Sequence, residues 1–239
     1  MTLRRTICLI LAVITIMLIS TTAAMAKTYM VPTRANRFSV TYKDGKLHTI
    51  KNKENGAVVT HTYYYKGNKV EVAEKVDKAG VCTEMITKGI DLDKKGRPVK
   101  LKFYDDQMNI ASYTTYKYNS KGKIVKLSGK ANNSSLKWKG TFKYDKKGSL
   151  KAGSFKTYSF NKRIGQNKVK FINKYKNGRL SKRTEKLITK VNGKWKCTNK
   201  VTTKVLYGKI KASSKQYKQL KPWIDFVNNY YQFDIGFVF

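Results

Sequence analysis

Turn glycines set into alternating aromatic and lysine residues constrain this chain more tightly than any other feature. The stretches DLDKKGRPVKL (Asp91 to Leu101), KYNSKGKIVKL (Lys117 to Leu127) and KYDKKGSLKAG (Lys143 to Gly153) superpose without gaps, so Gly96, Gly122 and Gly148 stand 26 residues apart. Looser copies begin at Thr41, Tyr63 and Lys174. A fixed period of this size marks one supersecondary unit copied in series. In each copy an Asp or Asn after the aromatic accepts a hydrogen bond from the backbone two residues on and opens a type I turn. The following glycine takes the left-handed conformation that closes it. Asp44-Gly45, Asn177-Gly178 and Asn192-Gly193 are the favoured dipeptides of two-residue type I′ hairpin turns.

Between turns the residues alternate. Leu136, Trp138, Phe142 and Tyr144 share one parity and Lys137, Lys139 and Lys143 the other; Val169, Phe171 and Tyr175 are offset in the same way from Lys168, Lys170 and Lys174. Period two is the mark of a half-buried antiparallel strand. The expected fold is mainly all-β: an antiparallel β-meander of serial hairpins with one apolar aromatic face and one lysine face. Such a sheet either closes into a barrel or stays open and twisted with its apolar side covered.

The Tyr-Asp-x-x-Gly-x-Leu form of YDKKGSL, with YNSKGKI, resembles the YD repeats of RHS-type bacterial surface proteins. YKDGKL and YKNGRL resemble the MORN-like repeats of exported bacterial proteins. The resemblance covers residues 40–183 and implies serial β-hairpins without implying one activity.

The ends read differently. Arg4 and Arg5, the apolar run Ile7 to Ile19 and the small-residue site Ala24-Met25-Ala26 form a secretory leader over residues 1–26. Cleavage there leaves 213 residues, which divide into a hairpin-repeat domain over 27–212 and a C-terminal unit over 213–239. Tyr217, Leu220, Trp223, Ile224, Val227 and Tyr230 fall at helical spacings, and Pro222 suits a first helical turn. The expected helix therefore runs from Pro222 to Tyr230 and plugs one end or face of the sheet. The alternating tail Tyr231, Phe233, Ile235, Phe237 and Phe239 reads as a terminal strand. That aromatic ending also resembles the insertion signal of outer-membrane β-barrels, which makes a small membrane barrel an alternative.

Charge narrows the choice of partners. The formal net charge is +37. Residues 27–106 hold 17 basic and 10 acidic side chains, whereas residues 107–224 hold 32 basic and 2 acidic, Asp145 and Glu185. Such a field draws in polyanions. Past the leader there are six arginines against 43 lysines. Lysine is a hydrated point charge, so the composition suits salt-sensitive attraction rather than sequence reading.

Nothing in the sequence assembles into a catalytic constellation. His48 and His61 are the two histidines, and a Cys82–His61 pair has no third orienting group. Glu71, Glu84, Asp91 and Asp93 lie in no recognisable motif, and Asp93, Asp105, Asp106 and Asp145 read as turn formers. Asp91-Leu92-Asp93 lacks the further oxygen ligands of a calcium site. Neither metal, cofactor nor enzymatic activity is expected. Cys82 and Cys197 are the candidates for one disulfide, closing a loop of about 115 residues.

The expectation is a secreted or cell-surface, non-enzymatic protein. It would bind an anionic polymer (teichoic acid, acidic glycan or nucleic acid) without sequence preference, with possible association at a membrane surface. The residues expected to carry binding are Lys137, Lys139, Lys143, Lys146, Lys147, Lys168, Lys170 and Lys174. A structural surface protein with no specific ligand is the other reading.

Overall fold

In the computed structural model the described residues are 26–35, 38–54, 56–79 and 81–229. The leader before Ala26 and the expected strand over 231–239 lie outside them. Among the described residues fourteen strands follow in chain order. The first seven are β1 (Lys27–Ala35), β2 (Phe38–Lys43), β3 (Lys46–Glu54), β4 (Ala57–Lys66), β5 (Lys69–Lys78), β6 (Val81–Leu92) and β7 (Pro98–Tyr104). The rest are β8 (Ile110–Tyr118), β9 (Ile124–Ala131), β10 (Lys137–Tyr144), β11 (Leu150–Ser159), β12 (Lys162–Lys176), β13 (Arg179–Val191) and β14 (Lys194–Ala212). Helix α1 (Ser214–Asn229) ends the described chain.

Each strand pairs antiparallel with its neighbours in sequence. β1 then pairs with β14, from Lys27 opposite Ala212 to Ala35 opposite Val205, and closes the sheet into a barrel. Of the two expected outcomes, barrel and open sheet, closure is the one adopted; it leaves no edge strand exposed. Because every pairing is antiparallel, alternate turns gather at one end. The turns at Asp44-Gly45, Gly67-Asn68, 93–97, 119–123, 145–149 and Asn177-Gly178 share an end with the start of β1 and the finish of β14.

The repeated turn is one structure used four times. Asp93 Oδ1 accepts from the backbone N–H of Lys95 and Arg97, and Gly96 N–H donates to the Asp93 carbonyl. Asp145 does the same with Lys147, Ser149 and Gly148, and Asn119 with Lys123 and Gly122. Asp105 builds the fourth turn with Gln107 and Asn109, but Met108 stands where the others have glycine, at φ +62°. Asp145 also accepts from Asn173 Nδ2 and from the Tyr175 hydroxyl, which locks its turn to β12. Burial alone would raise the Asp145 pKa, but these donors together hold it below the ordinary aspartate value.

Alternation decides which face is inside. Val40, Tyr63, Val72, Ile90, Leu101, Tyr116, Phe142, Phe155, Val169 and Phe171 are buried within the barrel. Helix α1 sits across the end that holds both chain termini of the barrel. Its start is a reciprocal cap: Gln216 N–H donates to Ser213 Oγ at 3.2 Å, and Ser213 N–H donates to Gln216 Oε1 at 2.8 Å. Leu220, Trp223 and Phe226, three residues apart, are buried. Trp223 meets the rings of Tyr63 and Tyr65 edge-on at 5.9 and 5.7 Å, and Tyr217 stacks on Tyr29 at 3.8 Å.

Two expectations need correction. The helix does not start at Pro222: the cap at Ser213 starts it eight residues earlier and Pro222 lies inside it. Proline removes one intrahelical hydrogen bond there, and burial of the Leu220–Trp223–Phe226 stripe offsets the loss. Cys82 and Cys197 do not form a disulfide; both are free and exposed. They lie on β6 and β14, which the shorter path around the barrel separates by six ladder steps of about 4.8 Å, too far for a bridge.

Candidate functional site

The outer wall of the barrel is built by the same parity that fills the core. On β10, Trp138, Phe142 and Tyr144 take the inner positions, so Lys137, Lys139 and Lys143 are exposed on the outside. On β12, burial of Val169 and Phe171 sends Lys168, Lys170 and Lys174 outward. Lys146 and Lys147 sit apart from this wall in the β10–β11 turn, at the plugged end, with Lys147 Nζ 4.5 Å from the Tyr175 ring centre. Six of the eight expected lysines therefore share one surface, and two belong to the rim.

Register brings further lysines alongside them. Lys143 faces Ala152, Ala152 faces Lys170, Lys170 faces Lys186, and Lys186 faces Lys200. That is one row across five strands, about 20 Å from end to end at the usual strand spacing. A second row joins Lys174, Lys182 and Lys204. Elsewhere Lys130 faces Lys137 and Lys139 faces Lys156. Like charges directly opposite each other destabilise a ladder.

The two acids of residues 107–224, Asp145 and Glu185, do not stand on this face. Asp145 is occupied in its turn, and Glu185 lies on the inner parity, opposite Phe171 and Val201. Burial raises the Glu185 pKa, against the attraction of Arg183. Aromatic rings take the place of counter-ions at several points. Lys168 lies 3.9 Å and Lys190 5.8 Å from the Trp195 ring centre, and Lys139 lies 5.7 Å from Tyr158. The wall thus combines cations with half-exposed rings.

The interior holds polar groups that the sequence did not bring together. His61 is 4% exposed, and its Nε2 is 2.8 Å from Glu74 Oε2 and 3.4 Å from Lys88 Nζ. Cys82 faces Asp77, whereas Glu74, opposite His61, faces Met85. Burial lowers the His61 pKa, the Glu74 hydrogen bond partly restores it, and Lys88 lowers it again. The lowered pKa favours the neutral imidazole, whose Nε2–H can donate to Glu74. Deeper around the wall Trp138 Nε1–H donates to Thr114 Oγ1 at 3.0 Å, and Arg183, 3% exposed, donates to Asn173 Oδ1 at 3.2 Å. The signal for this layer was parity: His61 is in step with Tyr63 and Tyr65, and Glu74 with Val70 and Val72. Of the other acids, Asp91 pairs with Lys102 at 2.7 Å and Asp93 with Arg97 at 2.6 Å.

No protein-family model and no curated protein matches the sequence. Among solved structures, a porin-like protein from Bacteroides uniformis aligns at a TM-score of 0.31 and 10% identity, covering 78% of this chain and 96% of that one. A porin-like protein from Bacteroides vulgatus aligns at a TM-score of 0.29 and 10% identity, covering 76% of this chain and 82% of that one.

Proposed function

We propose that this protein is an exported, non-enzymatic β-barrel that works in water and holds anionic polymers of the cell envelope on its lysine-covered outer wall. One observation carries the reading: in the row Lys143, Lys170, Lys186 and Lys200 lysine stands opposite lysine from β12 to β14, and among the described residues no carboxylate pairs with these four. A regularly charged anionic chain supplies the missing counter-charge along the rows, and release of its condensed cations adds to the drive. Lysine in place of arginine favours teichoic acid, acidic glycan or nucleic acid through charge density rather than through sequence.

The test is binding of purified anionic polymer to the full chain at several salt concentrations. Affinity is expected to fall steeply, by tenfold or more between about 50 and 300 mM salt. Neutralising Lys170, Lys186 and Lys200 to Ser lowers the slope of that dependence. Salt-insensitive binding, or none at low salt, overturns the reading.

A membrane-spanning barrel is the second reading. Closure, an even strand number and both barrel termini at one end suit it. It requires an outward apolar band about 25 Å tall and a polar interior. Here Lys, Thr and Ser occupy outer positions of β8 to β14, and the interior is mixed: aromatic and aliphatic at the plugged end, with His61 and Arg183 among its buried polar groups. Alkaline extraction of the producing cells separates the two: release into the soluble fraction supports the wall in water, and retention with the membrane supports the spanning barrel.

A further inference from the structure

At the plugged end, between α1 and the β6–β7 and β8–β9 turns, lies a groove of about 300 Å³. Four lysines line it from different elements: Lys95 and Lys121 from the two turns, Lys218 and Lys221 from the helix. None of the four pairs with a carboxylate among the described residues. The other two cations of the lining are already committed. Arg97 is held by Asp93 and lies 4.4 Å from the Tyr118 ring centre, and Lys123 Nζ is 2.8 Å from Asp225 Oδ1. Asp225 is the one carboxylate in the lining among the described residues. Tyr118 and Phe226 supply an apolar floor.

Four uncommitted ammonium groups around one concavity repel each other until an anion enters. Several point charges on flexible stems fit a phosphate better than a carboxylate: a phosphomonoester carries about −1.5 to −2 charge at neutral pH and three strong acceptor oxygens. The volume lies at the small limit of ligand sites, roughly 300 Å³. That admits a short polyol or one sugar ring beside the phosphate, with its carbon face on Tyr118 and Phe226. We propose that this groove binds a small phosphomonoester, a phosphate dianion carried on a polyol or a sugar, at a site separate from the lysine wall.

The experiment is calorimetric titration of the full chain at low salt with glycerol 3-phosphate, with glycerol and inorganic sulfate as controls. One saturable site is expected for glycerol 3-phosphate, at least tenfold weaker for sulfate, and without heat for glycerol. The triple variant Lys121→Ser, Lys218→Ser, Lys221→Ser is expected to weaken it at least tenfold. The wall variant Lys170→Ser, Lys186→Ser, Lys200→Ser is expected to leave it within twofold. No saturable binding, equal affinity for sulfate, or equal loss in both variants overturns the proposal. Should the groove variant fail to fold, Asp225→Asn decides: by releasing Lys123 it is expected to tighten binding several-fold, and unchanged or weaker binding refutes the site. Because the wall variant also reports polymer binding, failure of one site is distinguished from failure of the other.

Discussion

Lys170 of β12 stands directly opposite Lys186 of β13 on the outer face of the barrel, and Lys186 in turn stands opposite Lys200 of β14. Folding keeps three ammonium groups in one row although each opposed pair costs about 0.2–1 kcal/mol. The variant Lys186→Glu replaces two repulsions by two attractions. It is expected to stabilise the barrel by about 1–2 kcal/mol at low ionic strength, and most of the gain should vanish in about 1 M salt, where the Debye length is near 3 Å. Urea denaturation at the two salt concentrations measures it. Polymer affinity is expected to move the other way and fall. A lysine kept only for solubility would show the stabilisation without the fall in affinity.

Met108 occupies the left-handed turn position that Gly96, Gly122 and Gly148 hold in the sister turns. Its side chain is 52% exposed, so little packing is lost on its removal. Left-handed backbone costs a non-glycine residue about 1–2 kcal/mol, partly offset by the greater unfolded-state freedom of glycine. Met108→Gly is therefore expected to stabilise by about 0.5–1 kcal/mol in urea denaturation, with unchanged denaturant slope.

The same position explains what was legible in the sequence. Turns with glycine after an Asp or Asn stood out, and alternation assigned Phe142, Tyr144, Val169 and Phe171 to the inner face and Lys143 and Lys170 to the outer. The turn at Asp105 escaped the repeat because its closing residue is methionine, and the β11–β12 turn because Phe160 and Asn161 take positive φ without glycine. Closure itself rests on β1 meeting β14, a pairing between residues nearly the whole described chain apart, and local pattern carries no such information. The lysine rows needed register: parity says that Lys170 and Lys186 face outward, but only the ladder places them opposite each other. His61 looked isolated because its partners Glu74 and Lys88 come from two later strands.

Acid should loosen the barrel through His61. Its folded pKa lies below the ordinary 6.5, so the unfolded chain takes up a proton first as pH falls. The contribution of the neutral imidazole is complete above pH 6.5 and is lost as pH drops through the lower folded value. Glu74 acts in the same direction at lower pH. The hydrogen bond from His61 holds its pKa below 4.5 despite burial, and its contribution disappears as pH falls through the folded value. Melting temperature is expected to be flat from pH 8 to about 6.5 and to decline towards pH 5. His61→Gln, which keeps a donor for Glu74 but does not titrate, is expected to flatten the upper part of that decline. An unchanged profile in the variant assigns the acid sensitivity elsewhere.

Trp223 joins the plug to the barrel, and its removal tests whether α1 is part of one cooperative unit. The indole is 2% exposed and meets Tyr63, Tyr65 and Phe226 edge-on. Truncation of a buried tryptophan costs about 3–5 kcal/mol through lost transfer energy and the cavity left behind. The helix touches β1, β3 and β14, so it spans the seam at which the first and last strands close the barrel. If the plug secures that seam, Trp223→Ala lowers the global unfolding free energy by the full amount. Amide exchange should then rise first along the β1–β14 pairing, from Lys27 opposite Ala212 to Val31 opposite Gly208, because the helix docks at that end. Lys221→Ala, on the exposed side of the same helix, is expected to change stability by less than about 0.5 kcal/mol. Faster exchange confined to α1, with the seam unchanged in Trp223→Ala, would make the helix an independent cap rather than the fastening of the barrel.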